Sequence, residues 1–170
     1  QYPPMAGVVE LRRAIAAKVL TLHGQSYDPD HEITVTAGAT QAIFTAIAAL
    51  VRHGDEVIVF EPVYDSYVPA IEAVGGKAIR SRLLFPDYRP DWQAVRSLLG
   101  PRTRMMIINS PHNPTGALLT ADDLATLAGL IRGTNVVLLS DEVYEHIVFD
   151  GATHQSVVSH PELKMRSLVV

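Results

Sequence analysis

Four short segments of the chain combine polar or aromatic side chains with glycine or proline or with the end of an apolar run. They span residues 36–41, 60–67, 109–116 and 139–144. Proline and glycine define the backbone conformations of a loop, so a polar group there can be held in one direction. In sheets of parallel strands, ligands bind beyond the carboxyl ends of the strands. We therefore expect these four segments to contribute to one ligand site.

The segment at residues 36–41 could bind an anion. Gly38 permits a tight turn and a close approach of the backbone to a ligand. The N–H groups of Ala39 and Thr40 would lie at the start of a helix, which favours an anion such as phosphate, and the Thr40 hydroxyl adds a donor. The alternative is a plain helix cap in a turn of small residues. The sequence contains neither a Walker A loop nor a GxGxxG motif, so the usual nucleotide fingerprints are absent.

The next two segments offer an aromatic ring and an amide. Tyr64 follows a predicted strand and could stack on a planar ring, although a core or rim tyrosine is the alternative. Asn113 lies in a rigid loop between Pro111 and Pro114 and could hydrogen-bond a heteroatom of a ligand. The alternative for Asn113 is a tight turn in which its side chain caps the backbone.

The last segment places a carboxylate at the end of an apolar strand. A carboxylate in that position loses hydration unless it is paired, and Asp141 would suit a cationic ring nitrogen. Tyr144 follows three residues later and could reach a phenolic oxygen. Asp141 could instead cap a short helix or bind Mg²⁺, but no phosphate-binding lysine accompanies it.

The elements that must position these side chains alternate along the chain. Apolar residues at helical spacing and start signals predict helices at 8–22, 39–51, 66–74 and 91–99 and one that opens at Thr120, with Asp91 and Thr120 as N-caps. Apolar runs predict strands at 33–36, 56–60, 77–84, 104–109, 135–140 and 167–170, and residues 86–90 are expected to be a loop. This alternation predicts an α/β fold in which helices cover both faces of a parallel sheet.

Composition narrows the classes of function. The 170 residues are 48% hydrophobic and 19% charged, which is typical of a folded domain. A net charge of −4 argues against a nucleic-acid partner. The absence of cysteine excludes disulfides and thiolate sites, and the spacing of the seven histidines does not predict a metal site. No apolar run approaches ~20 residues, so we expect no membrane span, and a cytoplasmic location is the resulting expectation.

Both ends of the chain suggest a longer protein. The sequence lacks an initial methionine and ends in an apolar run, residues 167–170, that predicts a strand. We therefore expect these residues to be a piece of a larger protein.

Taken together and in this order, AGATQAI, EPVYDSY, NSPHNPTG and SDEVYEHIVFDG resemble fold-type I aminotransferases of class I/II. That family uses pyridoxal 5′-phosphate (PLP), and the similarity is strongest to its methionine and kynurenine aminotransferase branch. The resemblance covers essentially the whole chain. It implies a three-layer α/β/α fold with a mostly parallel sheet, the large domain of a PLP-dependent transferase. That domain would be incomplete, since the N-terminal arm, the segment with the Schiff-base lysine and the C-terminal small domain would be absent from residues 1–170.

The resemblance implies cofactor-binding roles for the residues already singled out. Gly38, Ala39 and Thr40 match the turn whose amides hold the cofactor phosphate. Tyr64 matches the aromatic residue that stacks on the pyridine ring, where many relatives have tryptophan or phenylalanine. Tyr2 matches a tyrosine that reaches the phosphate in the neighbouring subunit, which implies a homodimer with shared active sites.

Other matched positions concern the reacting end of the cofactor. Asn113 and Tyr144 match the groups that bond the 3-oxygen, and Asp141 matches the carboxylate paired with the pyridine nitrogen. Asp141 and Tyr144 would be the catalytic residues among those present. Pro62 and Pro114 match positions that are often cis in relatives.

One expected group is absent from the sequence. The Schiff-base lysine of the family should come shortly after the strand that ends at Val170. Lys18, Lys77 and Lys164 lie elsewhere, and we interpret them as solvated surface residues. His112 is interpreted as a support of the proline-rich loop. The chain alone would bind PLP weakly and would be inactive.

The resemblance implies transfer of an amino group between an L-amino acid, with methionine or an aromatic amino acid as candidates, and a 2-oxo acid. Three alternatives stay open. They are a PLP-dependent carbon–sulfur β-lyase, an aminotransferase-like ligand-sensing domain of a transcription regulator, and a non-catalytic homologue. The intact Asn113, Asp141 and Tyr144 argue against the last of these.

Overall fold

The computed structural model describes residue 2 and residues 4–170 of the chain. Its strands are β1 (Glu56–Glu61), β2 (Lys77–Leu84), β3 (Arg89–Pro90), β4 (Thr103–Asn109), β5 (Val137–Asp141) and β6 (Ser167–Val169). Its α-helices are α1 (Val9–His23), α2 (Ala39–Leu50), α3 (Tyr67–Ala73), α4 (Trp92–Leu98), α5 (Ala121–Ile131) and α6 (Pro161–Lys164), and a 3₁₀ turn spans Val157–Ser159. No helix in this described part is long and apolar enough to cross a bilayer.

The described strands form one sheet in the order β3-β2-β1-β4-β5-β6. Neighbouring strands run parallel, except that β3 pairs with β2 in the antiparallel direction. The middle strands are continuous apolar runs because both faces of the sheet are covered. In β1, Ile58 joins a core packed under α4 and α5, while Val57 and Val59 join a second core under α2 and α3. This alternation confirms the predicted three-layer arrangement.

The predicted helices are confirmed to within a few residues, because their start signals act as expected. The Asp91 carboxylate accepts hydrogen bonds from Gln93 N at 3.1 Å and Ala94 N at 3.0 Å at the start of α4. Thr120 and Asp123 form a reciprocal capping box at the start of α5. Each cap supplies acceptors for backbone N–H groups that have no partner within the helix.

The strand predicted at residues 33–36 is wrong. Val35 N donates to Ala6 O at 3.0 Å, but the segment pairs with no strand of the described sheet. A short apolar run becomes a strand only where a neighbouring strand supplies the ladder, and this run instead packs against Gly7. A Cβ atom on Gly7 would lie 2.6 Å from Val35 Cβ.

The loop predicted at residues 86–90 contains a short strand. Arg89 and Pro90 pair with Leu84 and Leu83 as β3, at the edge of the sheet. Two residues are too few for a hydrophobic period, and a proline is tolerated in a strand at the edge of a sheet.

The strand order places a crevice at the carboxyl ends of the middle strands. The chain adds β2 on one side of β1 and then crosses to add β4 on the other side, so the direction of winding reverses between β1 and β4. Ligands of open α/β sheets bind at this kind of switch point. The loops after β1, β4 and β5 leave the sheet at this edge, and they carry Tyr64, Asn113 and Tyr144.

Away from that edge, a buried carboxylate joins three elements. The Asp123 carboxylate accepts hydrogen bonds from Trp92 Nε1 at 2.9 Å and from Thr120 N at 2.8 Å, as well as from the Arg89 guanidinium. Burial alone would raise the pKa of the Asp123 carboxyl, but the hydrogen bonds from Thr120, Trp92 and Arg89 together hold that pKa below its ordinary value. Asp123 therefore stabilises the packing of β3 and α4 against α5.

We expect Asp123→Asn to lower the free energy of unfolding of the complete protein by about 1–3 kcal/mol at neutral pH. Because the pKa of Asp123 is lower in the folded state than in the unfolded state, its contribution is fully present above the ordinary carboxyl pKa and is lost as the pH falls through the folded pKa. The difference from wild type should therefore shrink below about pH 4. Unfolding midpoints measured across this range check both statements.

The matched control is Asp122→Asn, which changes an exposed carboxylate in the same turn of α5. We expect it to alter stability by no more than about 0.5 kcal/mol. Equal destabilisation by the two substitutions would show that the donors around Asp123 contribute nothing specific.

Candidate functional site

Asp141 is the last residue of β5, and its side chain is buried. Only 4% of the residue is exposed. Its carboxylate accepts hydrogen bonds from the Tyr67 hydroxyl and from Val143 N, the latter at 3.3 Å. Its backbone carbonyl accepts hydrogen bonds from Ser110 N at 3.1 Å and Asn109 Nδ2 at 2.9 Å. The carboxylate is therefore held by Tyr67 at the start of α3 and by Val143 after β5. The backbone of the same residue is held by the end of β4.

The Asp141 carboxylate lacks a cationic partner in the part of the chain that the structure describes. None of the ion pairs formed by residue 2 and residues 4–170 includes it. A buried carboxylate without a cation is costly, because the interior does not replace the hydration of the charge. The position beside Asp141 therefore favours a ligand that carries a positive charge.

Tyr67 connects Asp141 to the loop after β1. It is buried at the start of α3, and its ring meets that of Tyr64 edge to face with centroids 5.5 Å apart. Burial raises the pKa of Tyr67 strongly, and the Asp141 charge raises it further, with smaller contributions from Tyr64 and Tyr144. Tyr67 therefore stays a neutral hydrogen-bond donor to Asp141, and both Tyr64 and Tyr144 lie within electrostatic reach of it.

Asn109 connects Asp141 to the loop that carries Asn113. Asn109 and Asp141 are partners in the register of β4 and β5. The Asn109 side chain donates to the Asp141 carbonyl and accepts a hydrogen bond from Asn113 N at 2.7 Å. The backbone of Asn113, a half-buried residue, is therefore held at the same sheet edge as Asp141.

The rest of the proline-rich loop is held by His112. Its Nδ1 lies 2.8 Å from Thr115 Oγ1, and its backbone N donates to Ala117 O at 2.9 Å. Burial lowers the pKa of the imidazole, partly offset by a hydrogen bond to the Pro62 backbone. His112 therefore supports the loop as interpreted from the sequence. The peptide bonds before Pro62 and Pro114 are cis, as are those before Pro86 and Pro111.

The glycine turn predicted to bind an anion caps α2. Gly38 has φ 89° and is the N-cap of the helix, with no side-chain cap. A left-handed φ favours glycine, and a Cβ atom built there meets nothing within 4 Å, so the turn is open. The first N–H groups of α2, including those of Ala39 and Thr40, have no partner within the helix and can bind an anion.

A cavity of about 260 Å³ lies beside this turn. Thr40 and Phe44 of α2 line it together with Ser66 and Pro69 of the segment that follows Tyr64. The Ser66 hydroxyl is buried and has no hydrogen-bond partner among the described residues. The turn at Gly38 and the loop after β1 are therefore neighbours.

Two predicted site residues are placed differently from the rest. Tyr144 is 37% exposed and lies in a turn in which its carbonyl accepts a hydrogen bond from Ile147 N at 2.7 Å. Asp141 therefore precedes a turn and does not cap a short helix. Tyr2 is 100% exposed and is not brought to the other site residues within this chain.

The interpretation of all three lysines as freely solvated is wrong in part. Lys77 is exposed, and Lys18 is exposed but pairs with Glu145. Lys164 is half-buried, and its Nζ donates to Gln25 Oε1 and Ser26 O, both at 3.1 Å. The physical reason is that the segment after α1 packs against α6, which sequence spacing did not indicate. Among the described residues, no cluster of histidine and acidic side chains could hold a metal ion.

Sequence reasoning missed Tyr67 and Asn109. Both are recognisable only by their positions, since Tyr67 opens a helix three residues after Tyr64 and Asn109 ends a strand that pairs with the strand of Asp141. The register between β4 and β5 is what brings Asn109 opposite Asp141. That pairing joins residues 32 positions apart, which local patterns do not reveal.

The raised pKa of Tyr67 gives a test that needs no activity. We expect Tyr67→Phe to leave the tyrosine titration of the folded, cofactor-free complete protein unchanged up to about pH 11, because Tyr67 does not ionise there. Absorbance near 295 nm measures the titration. In guanidinium the same substitution should remove one tyrosine from the titration, and loss of one tyrosine in the folded state as well would contradict the buried hydrogen bond.

Comparison with known proteins identifies the family. The family model for class I and II aminotransferases matches residues 1–169. Methionine aminotransferase from Escherichia coli is 51% identical over 170 residues, which is 100% of this chain and 44% of that protein. A probable N-succinyldiaminopimelate aminotransferase from Mycobacterium tuberculosis is 46% identical over 173 residues, which is 100% of this chain and 43% of that protein. The chain therefore spans less than half the length of these curated relatives.

Solved structures agree with this result. One from Escherichia coli, for which a methionine aminotransferase function was identified, is 51% identical with a TM-score of 0.97 and matches 99% of this chain and 45% of its own. An aromatic aminotransferase from Pyrococcus horikoshii is 37% identical with a TM-score of 0.95 and matches 99% of this chain and 46% of its own. The sheet and the loops around Asp141 lie within the matched residues, and the chain belongs to the class I and II aminotransferase family.

Proposed function

We propose that this chain forms the cofactor-binding part of a PLP-dependent aminotransferase. The complete protein would exchange an amino group between an L-amino acid and a 2-oxo acid. The observation that carries the proposal is the buried Asp141 carboxylate, which has no cationic partner among the described residues and lies beside aromatic and amide side chains. Membership of the family supports the same conclusion.

The residues around Asp141 fit the chemical parts of PLP. The open turn at Gly38, Ala39 and Thr40 suits a phosphate, because free N–H groups at the start of a helix attract an anion. The half-buried ring of Tyr64 suits a flat heteroaromatic ring. The Asp141 carboxylate suits a protonated ring nitrogen.

The remaining site residues suit the phenolic oxygen of the cofactor. Asn113 is held near Asp141 through Asn109, and Tyr144 follows in the next turn. Both are neutral donors, which stabilise an oxygen that carries negative charge. When bound, PLP supplies the electron sink for the charge that forms when the substrate Cα loses its proton.

The role of Asp141 in this chemistry is electrostatic. A buried carboxylate interacts strongly with a nearby cation, because little water screens the two charges. Asp141 would therefore keep the proton on the ring nitrogen, and Tyr67 would keep the carboxylate aimed at that atom through its hydroxyl. Tyr67 acts through Asp141, so it is a positioning residue.

Other features of the complete protein are also proposals. A lysine outside residues 1–170 would transfer the proton, and this chain alone would be inactive. Tyr2 is fully exposed, which suits a residue that acts on a partner subunit in a homodimer. Methionine or an aromatic amino acid is the proposed donor, because relatives with those names are 51% and 36% identical to this chain. A cytoplasmic location stays a prediction.

We expect Asp141→Ala in the complete protein to reduce transamination by about 10³-fold or more, because the positive charge on the ring loses the buried carboxylate that stabilises it. Asp141→Asn keeps the shape and should lose nearly as much, which separates charge from packing. Turnover measured with methionine and a 2-oxo acid checks both variants. Asp123→Asn is the control and should keep turnover within about twofold, and near-normal turnover of Asp141→Ala would reject the proposal.

The carbon–sulfur β-lyase remains a second candidate, because the same cofactor residues would serve either reaction. The reactions differ in their products. With cystathionine, a β-lyase releases ammonia, pyruvate and homocysteine, whereas an aminotransferase forms a 2-oxo acid with its side chain intact and an amino acid from the acceptor. We expect the complete protein to need an added 2-oxo acid and to release no ammonia. Ammonia release without an acceptor would favour the lyase, and no turnover of either kind would favour a ligand-sensing domain.

A further inference from the structure

A second buried acid lies directly after Asp141. Glu142 is 5% exposed, and its carboxylate accepts hydrogen bonds from Ser140 Oγ at 2.8 Å and from Val157 N at 3.1 Å. Its other oxygen lies 2.8 Å from Nε2 of His154, a side chain that is also buried. Unlike Asp141, Glu142 is therefore fully supplied with partners from this chain.

The histidine of this pair has one bonded nitrogen. Nδ1 of His154 is buried and has no hydrogen-bond partner among the described residues. Among the described residues, Nε2 is therefore the one ring nitrogen through which His154 is held, and Glu142 is its partner. His154 thus acts as a single-point donor that ties the segment before the 3₁₀ turn to the end of β5.

The backbone of Glu142 joins two further parts of the site. Its N–H donates to Val170 O at 2.8 Å, just beyond β6. Its carbonyl accepts a hydrogen bond from Glu145 N at 2.8 Å, which closes the turn that carries Tyr144. Residue 142 is therefore the point at which β5, the end of β6 and the Tyr144 turn meet.

The position of Glu142 bears on the direction of Asp141. Successive side chains of a strand point to opposite faces, so Asp141 and Glu142 are held on opposite sides of the sheet. Glu142 lies just beyond the last residue of β5, and its N–H still bonds to Val170 O, so the contacts of its carboxylate add a second hold on this residue. Val143 N, one residue further, donates to the Asp141 carboxylate, so the backbone of residue 142 links that hydrogen bond to the contacts of Glu142.

We propose that Glu142 and His154 form a positioning pair that fixes the Asp141 carboxylate and the Tyr144 turn from the opposite face of the sheet. The pair touches neither substrate nor cofactor and acts through the backbone of residues 141–144. The proposal rests on the proposed function, since it assigns the two residues a role in that site. It predicts that loss of the pair loosens the site as well as lowering stability.

The test compares two buried, multiply bonded carboxylates in the complete protein. Glu142→Gln removes the charge of the carboxylate that lies next to Asp141. Asp123→Asn removes the charge of the carboxylate at the start of α5, away from the site. In cofactor-free protein we expect Glu142→Gln to speed amide hydrogen exchange in residues 143–147 by about tenfold or more. With PLP, kcat should fall about 10–100-fold with KM little changed. Asp123→Asn should lower the melting temperature without either effect.

Substitutions at His154 keep the test independent of one variant. His154→Gln retains an N–H donor and should preserve exchange at residues 143–147 and kcat, whereas His154→Leu should reproduce the effects of Glu142→Gln. If Glu142→Gln and His154→Leu lower only the melting temperature, as Asp123→Asn does, the pair is merely structural and the proposal is overturned. If exchange rises while Asp141→Ala keeps its turnover, the positioning stands and the proposed function fails.

Discussion

The structure of the site depends on one carboxylate that is buried without a counter-charge among the described residues. Asp141 ends a middle strand of the sheet, where both faces are covered and little water can reach it. The interior tolerates such a group only if donors hold it and a cation completes it. The donors come from the segments after β1 and β5, through Tyr67 and Val143. The segments around Asp141 therefore supply the hydrogen-bond donors that its buried carboxylate requires.

Two other buried acids show what a carboxylate with a purely internal role looks like. Asp123 is surrounded by Thr120, Trp92 and Arg89, and Glu142 by Ser140, Val157 and His154. In both cases three residues of this chain supply donors to the carboxylate. The Asp141 carboxylate has two donors and no ion pair among the described residues, although it is buried to the same degree. The contrast within one molecule distinguishes Asp141 from the two acids that hold the fold.

The sequence predicted those parts of the fold that depend on local chemistry. Caps at Asp91 and Thr120 and the periodicity of apolar residues located the helices. The predicted loops after the middle strands all leave the sheet at one edge. What escaped prediction depends on contacts distant in sequence. Asn109 matters because β4 and β5 pair in a particular register, and residues 33–36 are not a strand because no neighbour supplies a ladder. Tyr67 was missed since its value lies in reaching Asp141, 74 residues away.

Side chains alternate between the two faces of the sheet along β5, so the adjacent acids Asp141 and Glu142 contact different sets of residues. Asp141 faces the side of α2 and α3, where Tyr67 and the glycine turn lie, whereas Ser140 and Glu142 face the other side and bond to each other. An acid placed one residue earlier or later would lie on the anchoring side and would find donors already committed to Glu142. The pleat therefore constrains the order of residues at the end of this strand. Since the two faces share one backbone, a change on the anchoring face reaches the site through the peptide units of residues 141–143.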